Sequence, residues 1–242
     1  MANWSDPRSN ATARPTSVGV DAAAFDAGLR SYMLSVYNYM ASGVLLTGIV
    51  ALLFANSGMA VTVLSGPLRW LVMLAPLGFV MVLSFGINRL STGAAQALYW
   101  AYAAVMGLSM ASIFLVFTGT SIAQTFFATS AAFAGLSLYG YTTKRDLSGF
   151  GTFLVMGVVG ILIASLINMF LQSGPLQLVI SIAGVLIFAG LTAYDTQRIK
   201  SLYFHVAGTD MVGKTVVMGA LSLYLDFINM FMFLLQFMGD RR

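Results

Sequence analysis

Apolar residues fill almost everything after residue 32 in unbroken runs, and polar residues gather where the runs stop. Seven runs reach the roughly 17–25 residues that a membrane helix needs, at 33–55, 68–88, 95–117, 121–141, 150–171, 177–196 and 215–239. The pattern predicts an all-α integral membrane bundle of seven transmembrane helices over residues 32–242. Residues 1–31 are polar and carry no apolar core behind a basic start, so they read as an N-terminal tail rather than a cleaved leader. Within that tail Asp21 could cap a short amphipathic helix leading to Arg30. Pro67 and Gly174-Pro175 stand just before the second and sixth runs, where proline fits a helix start. Pro76 inside the second predicts a kink. Ala103, Gly107 and Ala111 on the third run, and Ala131 and Gly135 on the fourth, form small-residue ridges that predict close helix packing.

Composition agrees with the pattern. Of 242 residues 59% are hydrophobic and 8% charged, against about 25% charged in soluble domains. There is no cysteine, which excludes disulfides, thiol catalysis and zinc–thiolate sites. The chain has eight acidic residues, all Asp, and all but Asp195 and Asp226 lie in the tail or in predicted loops. With seven spans and the N-terminus inside, the inner side receives Arg8, Arg14, Arg30, Arg89, Lys144, Arg145, Arg198, Lys200 and Lys214. The outer side receives Arg69, Arg241 and Arg242. That asymmetry predicts a cytoplasmic N-terminus and accounts for the net +4 as a topology signal, not a nucleic-acid patch. A re-entrant seventh run, leaving six spans, is the alternative.

The chemistry gathers in the last run. A charged Asp at the centre of a membrane helix costs about 2.5–3.5 kcal/mol on insertion scales, so Asp226 calls for a partner, a proton or water. Gly219, Ser222, Asp226, Asn229, Phe233 and Gln236 step by three or four residues along one stripe. Asp195 falls near the end of the sixth run and Arg89 at the end of the second, on the same predicted side. Two carboxylates brought together in a low dielectric cannot both ionise cheaply and tend to share a proton. Loss of that proton would replace a hydrogen bond between the helices with repulsion, unless Arg89 or a cation moves in, which makes a pH-dependent latch. A buried pair that only pins two helices together is the plainer reading. Ser222, Tyr224, Asn229, Tyr194 and Thr196 supply neutral oxygens nearby. With two carboxylates they would hold calcium weakly, short of the six to eight oxygens it prefers, and weak binding suits passage.

Ala193-Tyr-Asp-Thr-Gln-Arg-Ile-Lys200, followed by Ala220-Leu-Ser-Leu-Tyr-Leu-Asp-Phe-Ile-Asn229, resembles the paired signature of the transmembrane Bax inhibitor motif family, bacterial members included. The resemblance covers residues 33–239. It implies a seven-helix bundle with the last helix central, and a pH-sensitive calcium leak in which Asp195 and Asp226 are the sensor. It also implies an Arg at the inner end of the second helix as counter-charge, a role that Arg89 fits by position. Some members carry a Glu in the second or third helix, and this chain has none. The resemblance allows another activity, binding and modulation of a membrane-bound AAA protease through the exposed tail.

Other classes fit less well. The placement of Tyr194-Asp195 and Asp226 resembles that of intramembrane aspartyl proteases, but Asp226 follows Leu223-Tyr-Leu instead of Gly-x-Gly, and Pro-Ala-Leu is absent. A retinal protein needs a lysine within a helix, whereas Lys144, Lys200 and Lys214 fall in loops or at helix ends. His205, the one histidine, is read as a solvated residue of the sixth-to-seventh loop. Asn38, Ser42, Ser165 and Asn168 are read as interhelical hydrogen bonders ahead of pathway lining. Arg69-Trp70 and Tyr99-Trp100 read as interfacial anchors. The expectation is therefore a non-enzyme without a cofactor. Its partners are the bilayer, calcium and protons, and its place is the inner membrane if the source is bacterial.

Overall fold

A computed structural model describes the backbone of residues 17–242, with side chains from residue 23 onward. Among these residues the chain forms nine helices: α1 (Ser17–Asn56), α2 (Met59–Ser65), α3 (Leu68–Gly86), α4 (Thr92–Met110), α5 (Ser112–Val116), α6 (Gly119–Thr142), α7 (Ser148–Leu171), α8 (Gly174–Val206) and α9 (Val212–Met238). Seven segments are long and apolar enough to cross a membrane. α2 is a single short helix set off by Gly58, whose left-handed backbone breaks the chain after α1. α4 and α5 make one crossing interrupted at Ala111, where three-residue hydrogen bonds from Ala111 to Leu108 and from Phe114 to Ala111 replace the α pattern.

Side chains mark where the crossings begin. Ser91, Thr118 and Ser173 accept the backbone N–H of Ala94, Ser121 and Leu176 and cap α4, α6 and α8. α3 passes through Pro76 as one helical segment. Its Leu71, Met73, Leu74, Leu77, Met81 and Phe85 are exposed, as a lipid-facing helix requires.

α9 packs against α8, α1, α6 and α4 and is the most buried of the seven spans. α3 leans on α4 and α7 on α8 at the flanks. Beyond Met238 the chain pairs with the α5–α6 connection: Thr118 N–H donates to Asp240 O at 3.0 Å and Arg242 N–H to Val116 O at 2.9 Å. The α5–α6 connection closes the third crossing, so α9 ends opposite the side on which the first crossing starts. The seventh run is thus a full crossing, and the re-entrant alternative falls.

Four expectations change. First, α8 does not stop near Asp195. It continues to Val206, with no helix breaker before Gly208, because Tyr203 and Phe204 pack on Phe25 and Tyr32 of α1, with ring centroids 5.1–5.2 Å apart. Tyr203 also lies against Gly28, where a Cβ would clash with its hydroxyl. His205 therefore sits in the last turn of α8, exposed, rather than in a loop. Second, α1 starts at Ser17, inside the stretch read as tail; Asp21 falls within it, and the tail before residue 17 lies outside the described residues. Third, the two small-residue ridges differ. Gly107 presses on Thr47 and Val50 of α1, and Ala103 accepts a hydrogen bond from Thr47. Ala131 and Gly135 instead face outward, with nothing near Gly135. Fourth, Tyr99, read as an anchor at the interface, is fully buried and donates to Tyr39 O at 2.9 Å.

Candidate functional site

The site is built on the antiparallel interface of α8 and α9, and its register can be followed along the helices. At one end Gln177 Nε2 donates to Gln236 Oε1 at 2.7 Å. Next, Phe233 lies across Gly184 and stacks on Phe188, with ring centroids 5.9 Å apart. At the other end Ile199 rests on Gly219. Asp195 and Asp226 occupy the facing stripes between these contacts, stepping by three or four residues from the neighbours that fix them. They come within electrostatic reach of each other. The spacing-based stripe on the last helix is thus the face turned to α8.

Asp226 is 4% exposed, and its Oδ2 has no hydrogen-bond partner. A buried carboxylate oxygen without a donor is costly unless a proton resides there or a neighbour moves. Asp195 is partly buried, with Arg198 of its own helix as the cation within reach. Asp195 lies eleven residues before the end of α8, about 16 Å at 1.5 Å per residue. Both acids therefore sit well inside the bundle.

The other expected residues fall in different places. Arg89 is exposed in the turn after α3, its backbone N–H bonded to Gly86 O at 2.9 Å. It is not the partner of Asp226 Oδ2, which has none. Ser222 lies one turn from Asp226 on the shared stripe, partly buried, and so does Asn229, whose amide donates back to Leu225 O at 2.8 Å. Tyr224 points away from the pair, with its hydroxyl on Thr47 at 2.6 Å and its ring between Tyr99 and Tyr102. Tyr194 packs over Gly151 of α7. The Thr196 hydroxyl is taken up by Thr192 O at 2.7 Å and by Ser137 at 2.9 Å. Among the described residues no group of three or more acidic or histidine side chains gathers for a metal. The donors at the pair come down to two carboxylates, Ser222 and the Asn229 carbonyl, fewer than a calcium cage requires.

The pieces that spacing did not reveal are the partners of the stripe. Ser137 of α6 links Thr196, the residue after Asp195, to Tyr37 of α1 at 2.6 Å, so a chain of hydroxyls joins three helices. Gln177 is the hub of a second polar chain at the far end, receiving Asn168 Nδ2 at 3.0 Å and holding Gln236. Asn168 is thereby an interhelical hydrogen bonder. Lys200 Nζ donates to Tyr141 O at 2.8 Å and lies over the Tyr141 ring, tying α8 to α6.

Fold and site together define a multi-pass membrane protein in which the most buried helix carries an acid turned toward a second acid on its neighbour. Comparison with known proteins makes the class specific. The family model described as inhibitor of apoptosis-promoting Bax1 matches residues 29–242, and the chain belongs to that family. It is 47% identical to an uncharacterized protein of Rickettsia prowazekii, over 90% of this chain and 93% of the relative. It is 46% identical to the inner membrane protein YbhL of Escherichia coli, over 89% and 94%. A membrane protein of Streptococcus pyogenes is 37% identical over 88% and 94%.

Proposed function

We propose that the chain is a proton-gated leak for calcium, or for cations with little selectivity, with the gate at the α8–α9 interface. The observation that carries this reading is the placement of Asp195 and Asp226 on facing stripes, with one buried carboxylate oxygen unpartnered. Two acids so placed share a proton, and a change in that proton changes the force between the helices. In the arrangement described the interface is closed over Asp226. Calcium is then cargo, contacted in passing by carboxylates too few to trap it. In this reading Arg89, on the same side of the bundle, is the counter-charge of a second arrangement.

Arg30, Arg89, Lys144, Arg145, Arg198, Lys200 and Lys214 lie at or near the side of the 87–91, 143–147 and 207–211 turns, against Arg69, Arg241 and Arg242 on the other, and we assign the more basic side to the cytoplasm. The name of the YbhL relative supports placement in a cytoplasmic membrane. The family is not known for catalysis, and the acid pair keeps its non-protease flanks.

The test is calcium flux through purified protein in liposomes across a pH series. A pH-dependent flux that Asp195→Asn and Asp226→Asn each flatten supports the gate; identical profiles in all three remove it. If pure liposomes show no flux and deletion of residues 1–16 changes the turnover of substrates of a membrane-bound AAA protease in cells, the regulatory reading replaces it.

A further inference from the structure

α1 and α6 both border α9, yet they meet chiefly through the Tyr37–Ser137 hydrogen bond and leave a cavity of about 880 Å³ between them. That is at the upper end of the roughly 300–1,000 Å³ of small-molecule sites. Its walls are long apolar side chains, Met33, Met40 and Leu45 from α1 and Phe126, Phe133 and Leu138 from α6, with Phe227 of α9 behind them. From Arg30 to Leu45 it follows about 22 Å of helix at 1.5 Å per residue, more than the depth of one leaflet, about half of a 30 Å hydrocarbon core. A smaller cavity continues it past Val44, Phe126 and Phe227 toward Gly119.

Charge is placed at one end only. Arg30 lines the mouth, and Lys200 lies over the ring of Tyr141, another lining residue, at 4.8 Å. Asp26, one turn before Arg30, is the acidic neighbour on α1 and is exposed. We infer that this groove is a binding site for a phospholipid of the basic-side leaflet, one acyl chain lying between α1 and α6 and an anionic headgroup at Arg30. Between these long walls Ala41, Ser130 and Ala134 leave room, an apolar slot that suits an acyl chain, and the cation at its mouth complements an anionic headgroup. An acidic headgroup completes the mouth, as basic residues at the membrane surface attract anionic lipid. The inference is independent of ion flux: it concerns α1 and α6, and its readout is bound lipid.

The experiment is native mass spectrometry of the purified full chain, exchanged in turn against phosphatidylglycerol and phosphatidylcholine. Wild type is expected to retain one phosphatidylglycerol in preference to phosphatidylcholine. Ala134→Trp and Ala41→Trp, which fill the groove from opposite walls, are expected to lose the retained lipid at least tenfold. Arg30→Gln is expected to keep a lipid but lose about fivefold of the preference, the effect of one basic residue at a membrane surface. Helical circular dichroism and melting temperature establish that each variant is folded; should both tryptophan variants fail, Arg30→Gln alone decides. Equal retention of the two lipids by wild type, or retention and preference unchanged in every folded variant, overturns the site. A wild-type dimer that the tryptophan variants dissociate also overturns it, by making a second copy the occupant.

Discussion

Two stretches of the α8–α9 interface, the Gln177–Gln236 end and the Asp195–Asp226 stretch just before Ile199 and Gly219, are built from polar groups of opposite character. At the far end Asn168, Gln177 and Gln236 form a closed chain of neutral amides, each with a partner near 3 Å. At the basic end Asp195 faces Asp226, and Asp226 Oδ2 has no partner. An amide cannot gain or lose a proton near neutral pH, so its hydrogen bonds hold in every condition the membrane meets. A carboxylate pair depends on one proton. On the function proposed above, one helix pair is pinned by its amides and switched at its acids, with Phe233 stacked on Phe188 between the two stretches.

The largest effect should come from removing the titratable end. Asp226→Asn or Asp195→Asn converts it into a second amide end, and the pH dependence of calcium flux in liposomes should flatten in both. Next is the contact between the two ends. Gly184→Leu drives a side chain into the Phe233 ring and should destabilise the protein by about 1–3 kcal/mol, read as a fall in melting temperature in detergent. Smaller still is Gln236→Leu, which breaks the amide chain. Interhelical hydrogen bonds in membranes average about 0.6 kcal/mol, with a maximum near 1.7, so thermal stability should drop by that much while the pH profile keeps its shape. A profile that shifted with Gln236→Leu would show that the two ends are not independent.

The smallest effect lies outside the interface. At the start of α7 the Ser148 hydroxyl and then the Ser148 N–H, the latter donating to Asp146 at 2.9 Å, hold the Asp146 carboxyl below the usual range. A lowered acid contributes stability above the ordinary carboxylate range and loses it as pH falls through its folded value. Fully exposed, it should change melting temperature only slightly on Asp146→Asn, and only at pH above that range.

Much of this was legible from spacing. An Asp in the middle of an apolar run is expensive wherever the run packs, so Asp226 stands out from spacing alone. The stripe from Gly219 to Gln236 proved to be the α8-facing side. The length of α8 was not legible, because Tyr203 and Phe204 look like a loop's apolar residues until Phe25, Gly28 and Tyr32 of α1 are seen to pack against them. Tyr194 and Tyr224 sit beside the acids in sequence, yet helical rotation sends one to Gly151 and the other to Thr47. The ridges at Ala103-Gly107 and Ala131-Gly135 have the same composition, and only the arrangement of α1 and α6 around α9 decides which is covered. The lateral groove follows from that same arrangement and has no signature along the chain.

The central claim is that Asp195 and Asp226 share a titrating proton while the amide end stays fixed. Infrared difference spectroscopy of the protein in liposomes, stepped through pH, observes the protonated carboxyl group itself. The account predicts a protonated-carboxyl band that titrates in wild type, persists in Gln236→Leu and is lost or displaced in both Asp195→Asn and Asp226→Asn. A band that titrates identically in wild type and in both Asn variants would contradict it.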